Sequence, residues 1–370
     1  MASNPLTRAQ IIDKINSIIG STLTTTWTDA KINDLIDQAI TEVSEVVPYI
    51  MREVYQIETR KGTASSTSAN NLVDATKSQF LSADVGKVVY NTYDNTWAVI
   101  KTVTPSTTVG LTKDIFTSGE PYEIYNKGCW AQNQINLNTT NDFLWIVKVA
   151  YPVDRAGGGD EVFRNFNLVR RNEFDNILEI DVANLDDTKD TTANKDVYIY
   201  MAKQHKLNVM TDLVGASESG GAADATSMSI DGLTNADLYV YKDTLFYFTQ
   251  IGGVTMNSRN IYRVTADAAI GSLKATLSFY PPLECTITAA DDVTFIGSTL
   301  TPDLERILID IVTGEILIAQ GITKIDAFSI GGQSVATHTF EIGRNILKEA
   351  KTQLKGLVDV DLRANAILAR

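Results

Sequence analysis

Residues that carry chemistry are scarce in this chain. Its 370 residues include two cysteines and two histidines. Cys129 and Cys285 lie far apart, so they define neither a disulfide framework nor a metal cluster, and both read as small apolar packing residues. His205 and His338 form no H-x-x-x-H or H-x-H pair, which leaves no histidine metal site. Each reads as an exposed or hydrogen-bonded side chain. No G-x-S-x-G elbow is present. Gly157-Gly158-Gly159 lacks the Lys and Ser/Thr of a phosphate loop and reads as a flexible loop. Asp181, Asp186, Asp187 and Asp190 lack EF-hand spacing and read as a solvated acidic loop, and Asp291-Asp292 reads the same way at a turn. No nucleophile, base and orienter can be named together, so an enzyme is the least supported class, and no catalytic residue, cofactor or metal is expected.

Positive charge is also in deficit. The 45 acidic against 32 basic residues leave a net charge of −13. A sequence-reading DNA binder neutralises phosphates with Lys and Arg, so this balance argues against one. An acidic surface repels DNA, which suits a passage through which DNA slides without sticking. No apolar run approaches the ~20 residues of a membrane span. The opening MASNPLTRAQ has no signal-peptide core. The expectation is a protein made in a reducing cytosol, with no membrane partner. The length can bury more than one core, with about two or three domains.

Helical periodicity is present at the two ends. Ile11, Ile12, Ile15, Ile18 and Ile19 recur at helical spacing from about Thr7, and Gly20 is a stop. Thr28 can cap a second helix with Asp29 in its first turn. Its stripe is Ile32, Leu35, Ile36, Ala39, Ile40, Val43, Val46 and Val47, and Pro48 ends it. That stripe serves either core packing or contact with another subunit. Near the other end, Thr301 caps and Pro302 opens a helix with Leu304, Ile307, Leu308, Ile311 and Val312 on its buried face. Phe328 to Gln333 reads as a Gly turn. A last helix runs from about Thr339 to Val358, on a stripe of Ile342, Ile346, Leu347, Ala350, Leu354, Leu357 and Val358. The tail beyond it, Asp359 to Arg370, is unusually apolar for a terminus and needs a cover.

The middle is patterned for strands. From Val54 to Tyr125 short alternating runs are separated by turns at Asp94-Asn95 and Ser118-Gly119. Phe143–Val149 and Val197–Tyr200 read as strands, Arg155–Asp160 as a loop, and Glu161–Ile180 fits either helix or strand. Gly215–Ser229 reads as a small-residue linker. A second β region follows, with runs at Leu245–Phe248, Ile261–Thr265, Ala275–Phe279 and Val293–Ile296. Trp27, Trp97, Trp130 and Trp145 could stack on sugars, but they are dispersed, and Trp in β modules is usually core.

The expected fold is therefore α+β. A helical bundle is built from the N- and C-terminal segments and carries two inserted small β-sandwich or barrel modules. Residues 1–53 are N-terminal helices, 54–127 a first β module and 128–214 a mixed strand-rich segment. Residues 215–229 are a linker, 230–298 a second β module, 299–358 C-terminal helices and 359–370 a tail.

Three stretches carry a resemblance. Asp84 to Tyr125 has the order Gly-x-Val-Val-x-Asn, a Val-rich strand, a Thr/Leu strand, then Phe-x-x-Gly-x-x-Tyr-x-Ile. It is similar to a small β module of tailed-bacteriophage virion proteins. Ile261 to Phe295, with Tyr262–Asp267, Ala275–Ser278 and Pro281-Pro282-Leu283, is similar to another phage structural β module. Two N-terminal helices joined around Thr26-Trp27-Thr28-Asp29, with C-terminal helices and a trailing tail, resemble head-to-tail adaptor (connector) proteins. The chain is much longer than compact adaptors.

The adaptor resemblance implies a non-enzymatic virion protein at the neck, assembled in the host bacterial cytoplasm. It would form a ring of about twelve copies beneath the portal. Its partners would be the portal protein, tail or other neck proteins and further copies of itself. DNA would pass through without sequence-specific binding. The tail would dock into the portal, with Leu362, Ala366, Ile367, Leu368 and Arg370 as contact residues. The alternatives are a tail or capsid accessory protein for decoration or fibre attachment, and a β-module carbohydrate- or receptor-binding protein. The last would need exposed aromatics on one module.

Overall fold

The computed structural model describes residues 4–20, 27–104, 106–138, 143–153, 161–169, 176–182, 196–251, 254–255, 261–283, 285–326 and 333–368. Two compact units divide the chain: Met1–Tyr49 with Gln204–Arg370, and Ile50–Lys203.

The first unit holds four α-helices among the described residues: α1 (Arg8–Ile19), α2 (Asp29–Val46), α3 (Pro302–Asp326) and α4 (Gln333–Leu368). Helix α1 starts on a capping box. The Thr7 hydroxyl accepts from the Gln10 amide at 3.3 Å, and the Gln10 side chain accepts from the Thr7 amide at 3.0 Å. Gly20 ends the helix with φ of 84°, a conformation that costs glycine nothing. Thr28 occupies the N-cap of α2 but makes no side-chain capping bond. The apolar stripes meet in one cluster that includes Ile11, Ile15, Ile32, Ile36, Leu308, Ile311 and Leu354. Ile18, counted with that stripe by spacing, is 56% exposed instead. Burying each such aliphatic side chain contributes about 1.5–3 kcal/mol.

Helices α3 and α4 close on glycines. A Cβ at Gly343 would lie 2.8 Å from the Gly314 carbonyl oxygen, and one at Gly321 would lie 2.9 Å from the Phe340 backbone. Larger residues would hold the backbones apart.

The same unit contains a closed antiparallel barrel. Its strands run in the order Val214–Ser217, Ser227–Asp231, Ala275–Tyr280, Tyr262–Val264, Leu245–Phe248 and Asp292–Phe295, and the last pairs with the first. Ala275–Tyr280 alternates buried and exposed, the period of a strand with one face inward. Phe246 sits at the centre of the barrel core, with the rings of Tyr262, Phe279, Phe295 and Phe248 between 5.4 and 6.0 Å away.

This arrangement overturns the expected fold. The chain is predominantly β, with several sheets, a closed six-stranded barrel and only four α-helices among the described residues. It is not a helical bundle with inserted β modules. Periodicity marks a helix locally but says nothing about what that helix packs against. The barrel shares a compact unit with the helices and is hydrogen-bonded to the start of the chain. The Asn4 amide donates to Phe295 O at 2.9 Å, Arg8 N to Asn208 O at 3.0 Å and Asn208 N to Gly297 O at 2.7 Å.

The stretch 215–229 is likewise not a linker, because both of its ends are barrel strands. Its small residues answer close packing. A Cβ at Gly215 would sit 2.9 Å from the Ile230 side chain and 3.0 Å from Asp231 O, and one at Gly220 would sit 2.4 Å from Ile287 O. Helix α4 begins at Gln333, earlier than its stripe suggests, and continues to Leu368, so the segment after Val358 is helix and not a separate extended tail. The predicted loop Arg155–Asp160 and the turn 327–332 lie outside the described residues.

The second unit holds a seven-stranded sheet in the order Lys61–Thr63, Pro121–Tyr125, Val88–Asn91, Thr96–Thr104, Thr108–Leu111, Asn71–Val73 and Ser66–Ser68. The turn at Asp94-Asn95 joins two of these strands, with Asn95 at φ 60°. Leu72, Phe80, Val89, Ala98, Ile100, Tyr122 and Ile124 fill its core. A four-stranded and a three-stranded sheet share a further core around Leu137, Val149, Leu178 and Ile199. The ambiguous stretch from Glu161 supplies strands Phe163–Arg164, Phe166–Val169 and Ile177–Ile180. A buried ion cluster ties down the start of the seven-stranded sheet. Arg60 bonds both Glu58 and Asp84 at 2.6–2.9 Å, and Lys87 reaches Glu58 at 2.7 Å.

Candidate binding surfaces

The residues expected to dock a partner lie on the far end of α4. Leu362, Ala366, Ile367 and Leu368 are on its last turns, and their side chains, like Arg370 itself, lie outside the described residues. The backbone register is informative. Helices α3 and α4 run antiparallel, with Gly314 against Gly343 and Arg306 Nη2 donating to Gln353 Oε1 at 3.0 Å. On that register Pro302, the first residue of α3, falls beside Leu357. Helix α4 then runs on to Leu368, about 16 Å beyond the start of its partner at 1.5 Å per residue.

A cavity of about 500 Å³ opens in the first unit, lined among others by Arg8, Asp37, His205, Lys206, Tyr241 and Thr299. It looks chemical, because it holds a buried histidine beside charged groups, yet the histidine is fully engaged. His205 Nε2 lies 2.9 Å from Val47 O, a group that can only accept, so that nitrogen carries the proton. Nδ1 therefore accepts from the Thr299 hydroxyl at 3.1 Å, and that hydroxyl accepts from the Lys206 amide at 2.9 Å. Burial lowers the His205 pKa and keeps the ring neutral. The His205 amide also donates to Ser44 Oγ, whose hydroxyl donates to Ile40 O. His205 thus pins the C-terminal turn of α2 and has no ring nitrogen left for a proton transfer or a metal.

The charges around it are paired as well. Asp243 is buried and accepts from Lys206 at 3.1 Å and Arg263 at 2.9 Å. Arg8 bonds Asn33 and pairs with Asp37. The arrangement holds loops together and offers no poised acid, base or nucleophile.

A third surface is aromatic and lies in the second unit. Trp97 and Trp130 are 37% and 50% exposed, with ring centroids 5.1 Å apart and planes at 77°. Lys113 Nζ sits 4.7 Å from the Trp97 centroid. Tyr90 is the cross-strand partner of Trp97 and stacks on Tyr125 at 5.7 Å. Separation in sequence hid this group, since Trp97 is on a strand and Trp130 follows Tyr125 on a loop. The alternation of Tyr90 and Trp97 around the Asp94-Asn95 hairpin was the one available signal. The other two tryptophans stay apart: Trp27 packs against the helical cluster and Trp145 is 44% exposed on Phe143–Ala150.

The remaining candidates have structural roles or none. Cys129 is buried and Cys285 half-buried, and the two are not joined in a disulfide. His338 is exposed. Asp291 is not solvated, as expected from its turn, but buried, accepting from the Thr288 amide and hydroxyl at 2.8 Å. Asp186, Asp187, Asp190 and the Gly157–Gly159 run lie outside the described residues. Among the described residues no three His, Cys, Asp or Glu side chains gather as a metal site, and no helix is long and apolar enough to cross a membrane. Comparison with protein-family models, with curated proteins and with solved structures gives no match to this chain.

Proposed function

We propose that this chain is a structural protein of a tailed-phage neck, an adaptor that forms a ring between portal and tail and encloses the DNA passage. The observation that carries this reading is the overrun of α4. Four helices bury one apolar cluster, and the longest continues about 16 Å past its antiparallel partner. The overrun has the sequence VDVDLRANAIL, rich in apolar residues, and such a helix needs a second surface to cover it. Docking into the portal supplies one.

The net charge of −13 supports a channel wall that DNA does not adhere to. A head-to-tail interface whose rotation closes would give a single repeated chain such a ring. The engaged state of His205 and the pairing of Asp243 support a non-enzymatic role.

The test is assembly with the portal protein of the same virus, followed by electron microscopy. Full-length protein is expected to sit as a ring on the portal axis. Deleting Asp359–Arg370 is expected to abolish portal binding, to lower the helical circular dichroism signal only by the ten helical residues removed, and to leave cooperative unfolding intact. Normal portal binding by the truncated chain would refute the docking role, and a distribution over the whole shell would replace the neck reading with a decoration one.

A further inference from the structure

We propose that the Trp97–Trp130 corner of the second unit is a binding site for a neutral oligosaccharide. It stands apart from the neck reading, because it concerns a different unit and a different ligand. The two indoles meet in a T-shaped contact at 77° and remain 37% and 50% exposed. A pyranose ring can lay its C–H face on one indole and its edge against the second.

The rim supplies both kinds of polar partner. Lys113 brings an ammonium over Trp97. Tyr90, beside Trp97 in register, donates its hydroxyl to Asn95 Oδ1 at 2.7 Å, which leaves the exposed Asn95 amide nitrogen as a donor. Glu123 faces Tyr90 from the next strand and offers a carboxylate already bridged to Lys61 at 3.1 Å. Aromatic faces ringed by a few mixed donors and acceptors are the chemistry that polyol hydroxyls require.

Size and charge argue against other occupants. At 37% and 50% exposure the two indoles present roughly 200 Å². A stable protein interface needs about 800 Å² on each side. Further along the same strand Lys101, Thr102 and Thr104 are exposed and polar, while Tyr93 on the hairpin is 74% exposed. Single-stranded nucleic acid also stacks on indoles but needs a basic groove to track its backbone. Here the Lys61 ammonium is paired with Glu123, and the chain carries a net charge of −13.

The test uses the full-length chain and its intrinsic tryptophan fluorescence. Maltohexaose, cellohexaose and chitohexaose are titrated in, with an oligothymidylate and phosphatidylglycerol vesicles as further arms. At least one oligosaccharide is expected to give a saturable change. Trp97→Ala and Trp130→Ala are expected to weaken it about tenfold or more in protein that still unfolds cooperatively, while Trp145→Ala leaves it intact. The proposal is overturned if none of the three sugars gives a saturable change, or if Trp97→Ala and Trp130→Ala titrate like wild type. Tighter binding of oligothymidylate or vesicles, lost in Trp130→Ala, would reassign the corner to that ligand.

Discussion

Gly343 and Gly356 lie on the same helix, and replacing each by alanine is expected to change stability in opposite directions. In a helix interior alanine is favoured over glycine by about 1 kcal/mol, chiefly because glycine loses more backbone entropy on folding. At Gly356 an added Cβ meets nothing within 4 Å, so that gain stands. Gly356→Ala should stabilise the first unit by about 0.5–1 kcal/mol. At Gly343 the same atom would lie 2.8 Å from Gly314 O, Ile318 N and Leu317 Cβ. Two of those neighbours are backbone and cannot rotate away, so α4 must shift off α3. Overpacking of this kind costs about 1–3 kcal/mol, which exceeds the propensity gain. Gly343→Ala should therefore destabilise by about 1 kcal/mol net, and Gly343→Leu by more. Urea unfolding, with hydrogen exchange of the α3 and α4 amides to isolate this unit, reads both changes. If Gly343→Ala stabilises as much as Gly356→Ala, the close α3–α4 contact does not exist in solution and the register that defines the α4 overrun fails with it.

Further outcomes follow from the buried polar groups. Burial works to raise the Glu58 pKa, but the hydrogen bonds and charge of Arg60, with Lys87, outweigh it together and hold the carboxyl at about 2. A folded pKa below the unfolded value of about 4.3 gives stability that is complete above that value and is lost as pH falls towards 2, on the order of 3 kcal/mol. Acid titration of the melting temperature should show this loss for the second unit, and Glu58→Gln should flatten it while lowering stability at pH 7 by about 3 kcal/mol, because Arg60 keeps a buried charge with one partner fewer. His205 has the reverse chemistry with the same pH direction. Its folded pKa is lowered, so the unfolded chain binds the proton more readily, and the first unit should weaken as pH falls below about 6.5. A melting temperature for that unit that is flat between pH 7.5 and 5 would contradict the neutral, doubly bonded ring. Thr7→Ala removes the capping box and should cost α1 about 1 kcal/mol, read by exchange of its first-turn amides.

The local elements were legible in the sequence because they depend on neighbours along the chain. The isoleucines at 11, 12, 15 and 19 share one face whatever that face meets, Gly20 can adopt a positive φ that other residues resist, and Asn95 marks its hairpin for a similar reason. The strands of the second unit and of the barrel likewise announce themselves by alternation and by aromatic and β-branched content. The same kind of signal misled at Gly215–Ser229, where small residues suggest a flexible connection and instead permit strands to approach.

What only the tertiary structure decided is which of these pieces share a core and which distant side chains meet. Closure of the barrel by Val214–Ser217 against Asp292–Phe295, and the Asn4 bond to Phe295 across 291 residues of sequence, are contacts that no local pattern encodes. Glu58 and Arg60 are near neighbours, but Asp84 completes their cluster only because a fold in the second unit brings it back. Trp97 and Trp130 read as dispersed aromatics until strand register and a loop set their rings 5.1 Å apart. The physical reason is common to all three. Propensity and periodicity are set over a few residues, whereas burial, ion pairing and ring contact depend on distances in space that the rest of the chain imposes.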